Sequence, residues 1–302
     1  MIGIDIGGAN TKIVTEDEVI IRYCPLWRGA PLGEILSGFD GEAAVVMSGE
    51  LADCFHTKGE GISFLVNEVK KIIPDARFYG TDGLFHTDPV PQLAAANWLA
   101  SADLLRDRYP GSVLVDLGST TADIIPLTPF SDLLNQTDLS RLRRGYLIYC
   151  GMLRTPVASL LRSVRIDGID TPLSTEYFAS AGDAHLVLGH ITPEEYTVPT
   201  PDGKEATTAL SLSRLARSVC ADLDEVGHTG AIAIAEAFWD AERTLIKESL
   251  DRIGSGEVLA AGIGSGLIRR NFGGIDLQKE LGRYADALPA YAVREVAIRD
   301  GI

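Results

Sequence analysis

Basic residues are scarce in this chain. Its 302 residues hold 27 Lys and Arg against 42 Asp and Glu, a net charge of −15 at pH 7. Nucleic-acid binding draws on clustered cations that replace condensed counterions; no basic stripe is present, so nucleic acid is not expected as a partner. Cysteine is equally sparse. Cys24, Cys54, Cys150 and Cys220 stand far apart with no C-x-x-C pair, which argues against a disulfide scaffold or zinc knuckle and fits a reduced, cytoplasmic compartment. No apolar run approaches the roughly 18 residues of a membrane span. The start, M-I-G-I-D-I-G-G, lacks the basic segment of a signal peptide, so no membrane partner is expected. The five histidines form neither H-x-x-x-H nor H-E-x-x-H, and a histidine metal site is not expected either.

What is present is an alternation of strands and helices, an α/β pattern. Residues 2–6 and 11–14 read as short strands joined by Gly7-Gly8-Ala9-Asn10, and Val19 to Tyr23 and Ala43 to Met47 as two more. Ile62, Leu65, Val66, Val69 and Ile72 recur at helical spacing until Pro74, and 91–109 reads as a second helix. At 112 the opening returns. S-V-L-V-D-L-G-S-T-T-A-D-I-I-P repeats strand, Asp, glycine turn, hydroxyls and strand, with Asp116 lying 111 residues after Asp5. A long helix over 228–253 precedes a third strand with a glycine-rich end, V-L-A-A-G-I-G-S-G. The recurrence predicts two related lobes, 1–111 and 112–302, with a cleft between them. The polar, Pro-rich stretch 193–206 and the helix 207–221 behind it read as a surface insertion.

A glycine-rich turn between strands can aim backbone N–H groups at an anion with no side chain in the way. Gly7, Gly8, Asn10 and Thr11 in the first turn, and Gly118, Ser119, Thr120 and Thr121 in the second, are the expected phosphate binders, with Lys12 adding a point charge. Phosphate calls for a hard cation. Mg²⁺ takes oxygen ligands and commonly uses one or two carboxylates plus phosphate oxygens, so Asp5 and Asp116 are the expected metal ligands. Asp123 is expected to tie the second turn down.

D-I-G-G-A-N-T-K, D-L-G-S-T-T-A-D and A-A-G-I-G-S-G, in this order, resemble the two phosphate motifs and the nucleoside motif of the actin, sugar kinase and Hsp70 superfamily. That resemblance implies a duplicated ribonuclease H-like fold and a nucleoside- or substrate-binding role for Gly262, Gly264, Ser265 and Gly266. Within it, S-G-E-L-A-D-C-F from Ser48, G-T-D-G-L-F from Gly80, A-A-A-N-W-L-A from Ala94 and Y-C-G-M-L-R-T-P-V from Tyr149 are similar to one narrow group. That group is the small hydantoinase/oxoprolinase-like proteins, also called tetrahydromethanopterin-linked C1-transfer proteins. In methanogens the resemblance implies a transferase of methanofuran biosynthesis. It would join an aminomethylfuran-methyl diphosphate to the phenol of γ-glutamyltyramine and release diphosphate.

A phenol with an ordinary pKa of about 10 benefits from a carboxylate base. Glu50, Asp53, Asp82, Asp88 and Asp183 lie in polar segments after the central strands, and Asp88 and Asp53 rank first because they fall in or beside the family-like stretches. His86 and His185 are expected to be structural or to line substrate, Trp98 to be core and Asn97 to reach the cleft. Cys54 and Cys150 are expected as buried thiols, and Arg141, Arg143 and Arg144 as a solvated basic turn. The rival readings are an ATP-dependent kinase or an oxoprolinase-type hydrolase using the same turns, and a nucleotide-gated filament protein. Ile263, which separates Gly262 from Gly264, breaks the usual Gly-Gly and argues against adenine. The oligomeric state is left open, a homo-oligomer included.

Overall fold

The computed structural model describes residues 1–29, 32–39 and 41–302. Two sheets organise it, and each has its own compact unit.

The first sheet has six strands. β1 (Ile2–Ile6), β2 (Asn10–Val14) and β3 (Val19–Tyr23) form an antiparallel meander; β4 (Ala43–Met47) and β5 (Arg77–Tyr79) add in parallel beside β1, and β6 (Phe85–His86) closes the edge. The order is β3-β2-β1-β4-β5-β6. Its central strands read as near-continuous apolar runs because both faces are covered: every residue of β4 is buried. One face carries the helix Lys58–Ile72, whose Ile62, Leu65, Val66 and Val69 pack with Ile4, Ile6, Val45 and Phe78. The helices Asn97–Arg108 and Leu288–Asp300 pack on each other, and the latter also lies on β1 and β4.

The second sheet has five strands: β7 (Val113–Leu117), β8 (Ala122–Pro126), β9 (Leu147–Ile148), β12 (Val258–Ala261) and β13 (Ile275–Asp276), in the order β13-β12-β7-β8-β9. Counted within its own repeat, that is the order of β3-β2-β1-β4-β5 in the first. The same 3-2-1-4-5 arrangement occurs twice, as a duplicated ribonuclease H-like architecture requires. A hairpin of β10 (Ser163–Ile166) and β11 (Ile169–Pro172) stands apart. The core of this unit gathers Val157, Leu215, Ile234 and Phe238.

The units do not divide the chain at 111/112. Met1–Leu114, Ile125–Arg143 and Leu277–Ile302 form the first; Val115–Ile124 and Arg144–Asp276 form the second. The last helix returns to β1 because its buried Leu288, Ala292, Val293 and Val296 need an apolar sheet face. Helix ends also differ from expectation. The stretch 91–109 is a short 3₁₀ turn, Pro91–Leu93, followed by a helix that begins only at Asn97. The helix expected over 207–221 runs Thr208–Arg217, and the long one runs Leu223–Ile253 with a break at Gly227, where φ is 66°. Within the expected insertion, Tyr196 is buried and Asp202 pairs with Arg214.

Candidate functional site

In the first unit, β1 sets Asp5 across from Lys12 of β2 and beside Val46 of β4. Neighbouring strands crowd Asp5 to 6% exposure. Burial disfavours the charged carboxylate and pushes its pKa up to about 6, against the pull of the Lys12 ammonium. Among the described residues Asp5 Oδ1 has no hydrogen-bond partner, while the fully buried Thr11 hydroxyl has the Cys24 thiol as its neighbour. A buried polar atom without a partner is uncommon and asks for an explanation.

The turn after β1 is closed by Gly7 N–H donating to Asn10 O at 2.9 Å. Its carbonyls are pinned from outside: Gly8 O accepts from Leu26 N–H at 3.2 Å and Ala9 O from Cys24 N–H at 2.8 Å. A trans peptide holds N–H opposite C=O, so the Ala9 N–H faces away from 24–26. A Cβ built at Gly8 would meet no atom within 4 Å among the described residues beyond its chain neighbours. The turn is open where an anion would approach.

The second unit repeats this design. Gly118 N–H donates to Thr121 O at 2.9 Å, Gly118 O accepts from Met152 N–H at 3.0 Å, and Ser119 O accepts from Leu153 and Arg154 N–H at 3.0 and 3.1 Å. The N–H groups of Ser119 and Thr120 therefore face away from 152–154. Among the described residues, no turn or loop carbonyl takes the N–H of Ala9, Ser119 or Thr120. Asp116, Ser119, Thr120 and Thr121 are all partly exposed. The third glycine run belongs to this same assembly. Gly264 N–H donates to Leu117 O at 2.9 Å, and a Cβ at Gly262 would lie 2.3 Å from Asp116 Oδ1. Gly262 also has φ of 76°, so only glycine fits without strain. Ser265 and Gly266 open the helix Ser265–Phe272 beyond it, and Ile263 is exposed.

The remaining acids separate by surroundings. Asp53 and Asp88 are exposed loop carboxylates, Asp88 accepting from Thr87 Oγ1 at 3.0 Å. Asp82 pairs with His86 at 3.0 Å. Asp183 does not lie in a polar loop: it is fully buried, completes a capping box with Ser180, and receives Ser211 Oγ at 2.8 Å and Arg214 Nε at 2.7 Å. Glu50 is also buried, at 1% exposure, and burial pushes its pKa up. Asp123 sits on β8 opposite Leu147 of β9.

Several other expectations change. Arg141 is not part of a solvated turn. It is buried at 2% exposure, with its guanidinium 4.3 Å above the Trp98 ring and Nη1 3.0 Å from Asp138 Oδ1, while Arg143 and Arg144 are exposed. Cys54 is exposed. Cys150 is buried and donates to Glu242 Oε1 at 3.3 Å; the other Glu242 oxygen lies 2.9 Å from His185 Nε2, and His185 Nδ1 lies 2.9 Å from His190 Nδ1. This buried chain gives His185 a structural place. It was not visible in the sequence, because Glu242 comes from a helix more than 50 residues downstream. Asn97 begins its helix, partly buried.

The sequence profile of the hydantoinase/oxoprolinase family matches residues 42–266. Over 98% of its length the chain is 35% identical to the (4-{4-[2-(γ-L-glutamylamino)ethyl]phenoxymethyl}furan-2-yl)methanamine synthase of Methanocaldococcus jannaschii, covering 97% of that enzyme. It is 37% identical to the protein of the same name from Methanococcus vannielii, over 52% of this chain and 72% of that one. Among solved structures, nucleotide-free acetone carboxylase superposes with a TM-score of 0.51 at 9% identity, over 97% of this chain and 69% of that one; it shares the fold. With two 3-2-1-4-5 sheets, two pinned glycine turns and these similarities together, the chain belongs to the hydantoinase/oxoprolinase family.

Proposed function

We propose that the protein catalyses the aryl-ether synthesis for which its full-length relative is named, joining the phenol of γ-glutamyltyramine to the methylene of an aminomethylfuran-methyl diphosphate and releasing diphosphate. The observation that carries this reading is the similarity to that synthase along 98% of the chain. The turns support it chemically. Departure of diphosphate gathers negative charge on its oxygens, and preoriented N–H groups such as those of Ala9, Ser119 and Thr120 stabilise charge as it develops. Thr121 and Lys12 are further donors from the same strands and turns, whereas the Thr11 hydroxyl is fully buried beside Cys24.

Asp5 on β1 and Asp116 on β7, each just ahead of its turn, are each proposed as an oxygen ligand for Mg²⁺, directly or through water. The donor chemistry fits: carboxylates suit a hard cation, and Asp5 Oδ1 is buried with no partner among the described residues. The ion would supply electrostatic stabilisation of the leaving group. Breaking the CH₂–O bond is eased by the furan, whose ring delocalises positive charge at that carbon. Asp53 and Asp88 are exposed loop carboxylates, and among the described residues no contact of theirs aims either at the first turn for the phenolic proton.

The test is incubation of the purified protein with the furan diphosphate ester and γ-glutamyltyramine, following pyrophosphate with and without ATP. Release should need Mg²⁺ and both substrates but no nucleotide. Release that occurs only with ATP would favour the kinase or hydrolase chemistry known for this superfamily and overturn the reading.

A further inference from the structure

Glu50 stands out among the carboxylates of the first unit. It follows β4 directly, at the carboxyl edge of the parallel strands β1, β4 and β5, where ligands of open α/β sheets bind. Ser48 and Gly49 N–H both donate to Ile6 O, at 2.9 and 3.1 Å. Glu50 is thereby coupled to the strand end that carries Asp5 and the first turn. From the other side the helix Lys58–Ile72 clamps it: a Cβ at Gly61 would fall 2.0 Å from Glu50 O. The side chain is 2% exposed, Oε1 lies 4.0 Å from Lys58 Nζ, and among the described residues Oε2 has no hydrogen-bond partner.

A second unfilled group lies in the same part of the unit. Trp98 is 3% exposed, and its Nε1–H has no acceptor among the described residues. Arg141 covers the Trp98 ring and pairs with Asp138, whose charge in turn acts on Glu50. Ala95, whose backbone N–H acts on the Glu50 carboxylate as a donor, has φ of 47°, a strained conformation for a residue other than glycine. A buried acceptor and a buried donor, both unsatisfied, each cost stability. Such costs persist where a polar ligand fills them.

We propose that Glu50 is the general base of the ether synthesis, an inference that rests on the reading above. As the phenol oxygen bonds to the furan methylene, its O–H proton passes to Glu50 Oε2. The CH₂–O bond to diphosphate breaks and its electron pair leaves with the diphosphate. The base then returns its proton to water. Two features favour proton acceptance over a role as counter-ion to the substrate's ammonium. Burial, with a smaller push from Asp138, raises the proton affinity of Glu50 against the pull of its own backbone N–H, Lys58 and Ala95, which brings it nearer a phenol, and Lys58 already supplies a cation.

The experiment compares wild type, Glu50→Gln and Glu50→Asp on a series of ring-fluorinated γ-glutamyltyramines with falling phenol pKa, following pyrophosphate. With the parent phenol, Glu50→Gln should lose about 10²–10⁴-fold in kcat with KM for the diphosphate ester unchanged. The loss should shrink as the acceptor becomes ionised in solution, and Glu50→Asp should recover part of the rate. A loss equal across the series, a change confined to KM for the diphosphate ester, or a Glu50→Gln enzyme as fast as wild type on the parent phenol would overturn the assignment while leaving the ether-synthase reading intact. Absence of pyrophosphate from the wild-type enzyme would sink both.

Discussion

Replacing Asp5 by Asn should make the metal-free protein more stable at neutral pH while it abolishes Mg²⁺-dependent turnover. The sign follows from linkage. Burial raises the Asp5 pKa from 3.8 to about 6 in the folded protein, so the folded state holds this proton more tightly than the unfolded chain. Below 3.8 both states are protonated and the site imposes no penalty. As pH rises through 3.8 to about 6 the unfolded chain ionises first, and stability falls. At about 1.4 kcal/mol per pKa unit the penalty approaches about 3 kcal/mol above pH 6. Asn carries no such penalty. The stability difference between Asp5→Asn and wild type should therefore grow by about 3 kcal/mol between pH 3.5 and pH 7.5, read by urea denaturation in EDTA. Mg²⁺ at about 100 times its Kd would return about 2.7 kcal/mol to wild type and nothing to the variant. A difference that stays flat with pH would refute the burial argument, and an Asp5→Asn enzyme with full Mg²⁺-dependent turnover would refute the metal role.

Asp116→Asn should fold and lose Mg²⁺-dependent turnover; full activity would remove Asp116 from the site. Gly262→Ala should cost about 1–3 kcal/mol through its left-handed backbone alone and depress activity further, since the new methyl displaces Asp116; a normal melt with normal turnover would contradict this. Arg214→Met strands the buried Asp183 carboxylate and should cost about 3–5 kcal/mol, measured by chemical denaturation. Burial, then the charge of His185 and of Arg270, hold the His190 pKa down to about 4. Its contribution to stability is therefore complete above 6.5 and is lost as pH falls toward 4, so His190→Asn should flatten the acid limb of the stability profile.

Local order was largely legible in the residues. Strands Val19–Tyr23 and Ala43–Met47 fall where alternation and β-branching place them, and the repeated Asp-turn-hydroxyl unit foretold the duplicated sheets. The capping box at Asp183 was there to be read as Ser180-x-x-Asp183. What stayed hidden depends on distant partners. Arg141 looks like a surface cation until Trp98, 43 residues earlier, slides beneath it. Glu50 looks like a loop acid until Gly61 presses on its backbone. The pinning of each turn's carbonyls by 24–26 and 152–154 is likewise invisible to spacing, although the second segment lies in the family-like stretch Y-C-G-M-L-R-T-P-V.

The closing helix has a consequence for how the chain is made. A ribosome emits Val115–Ile124 and Arg144–Asp276 complete before Leu277–Ile302 appears. During synthesis β1 and β4 wait with one flank uncovered until the final helix emerges, exposed meanwhile to the sticky encounters that holdase chaperones suppress. Shortening the tail would therefore injure the portion of the protein translated first.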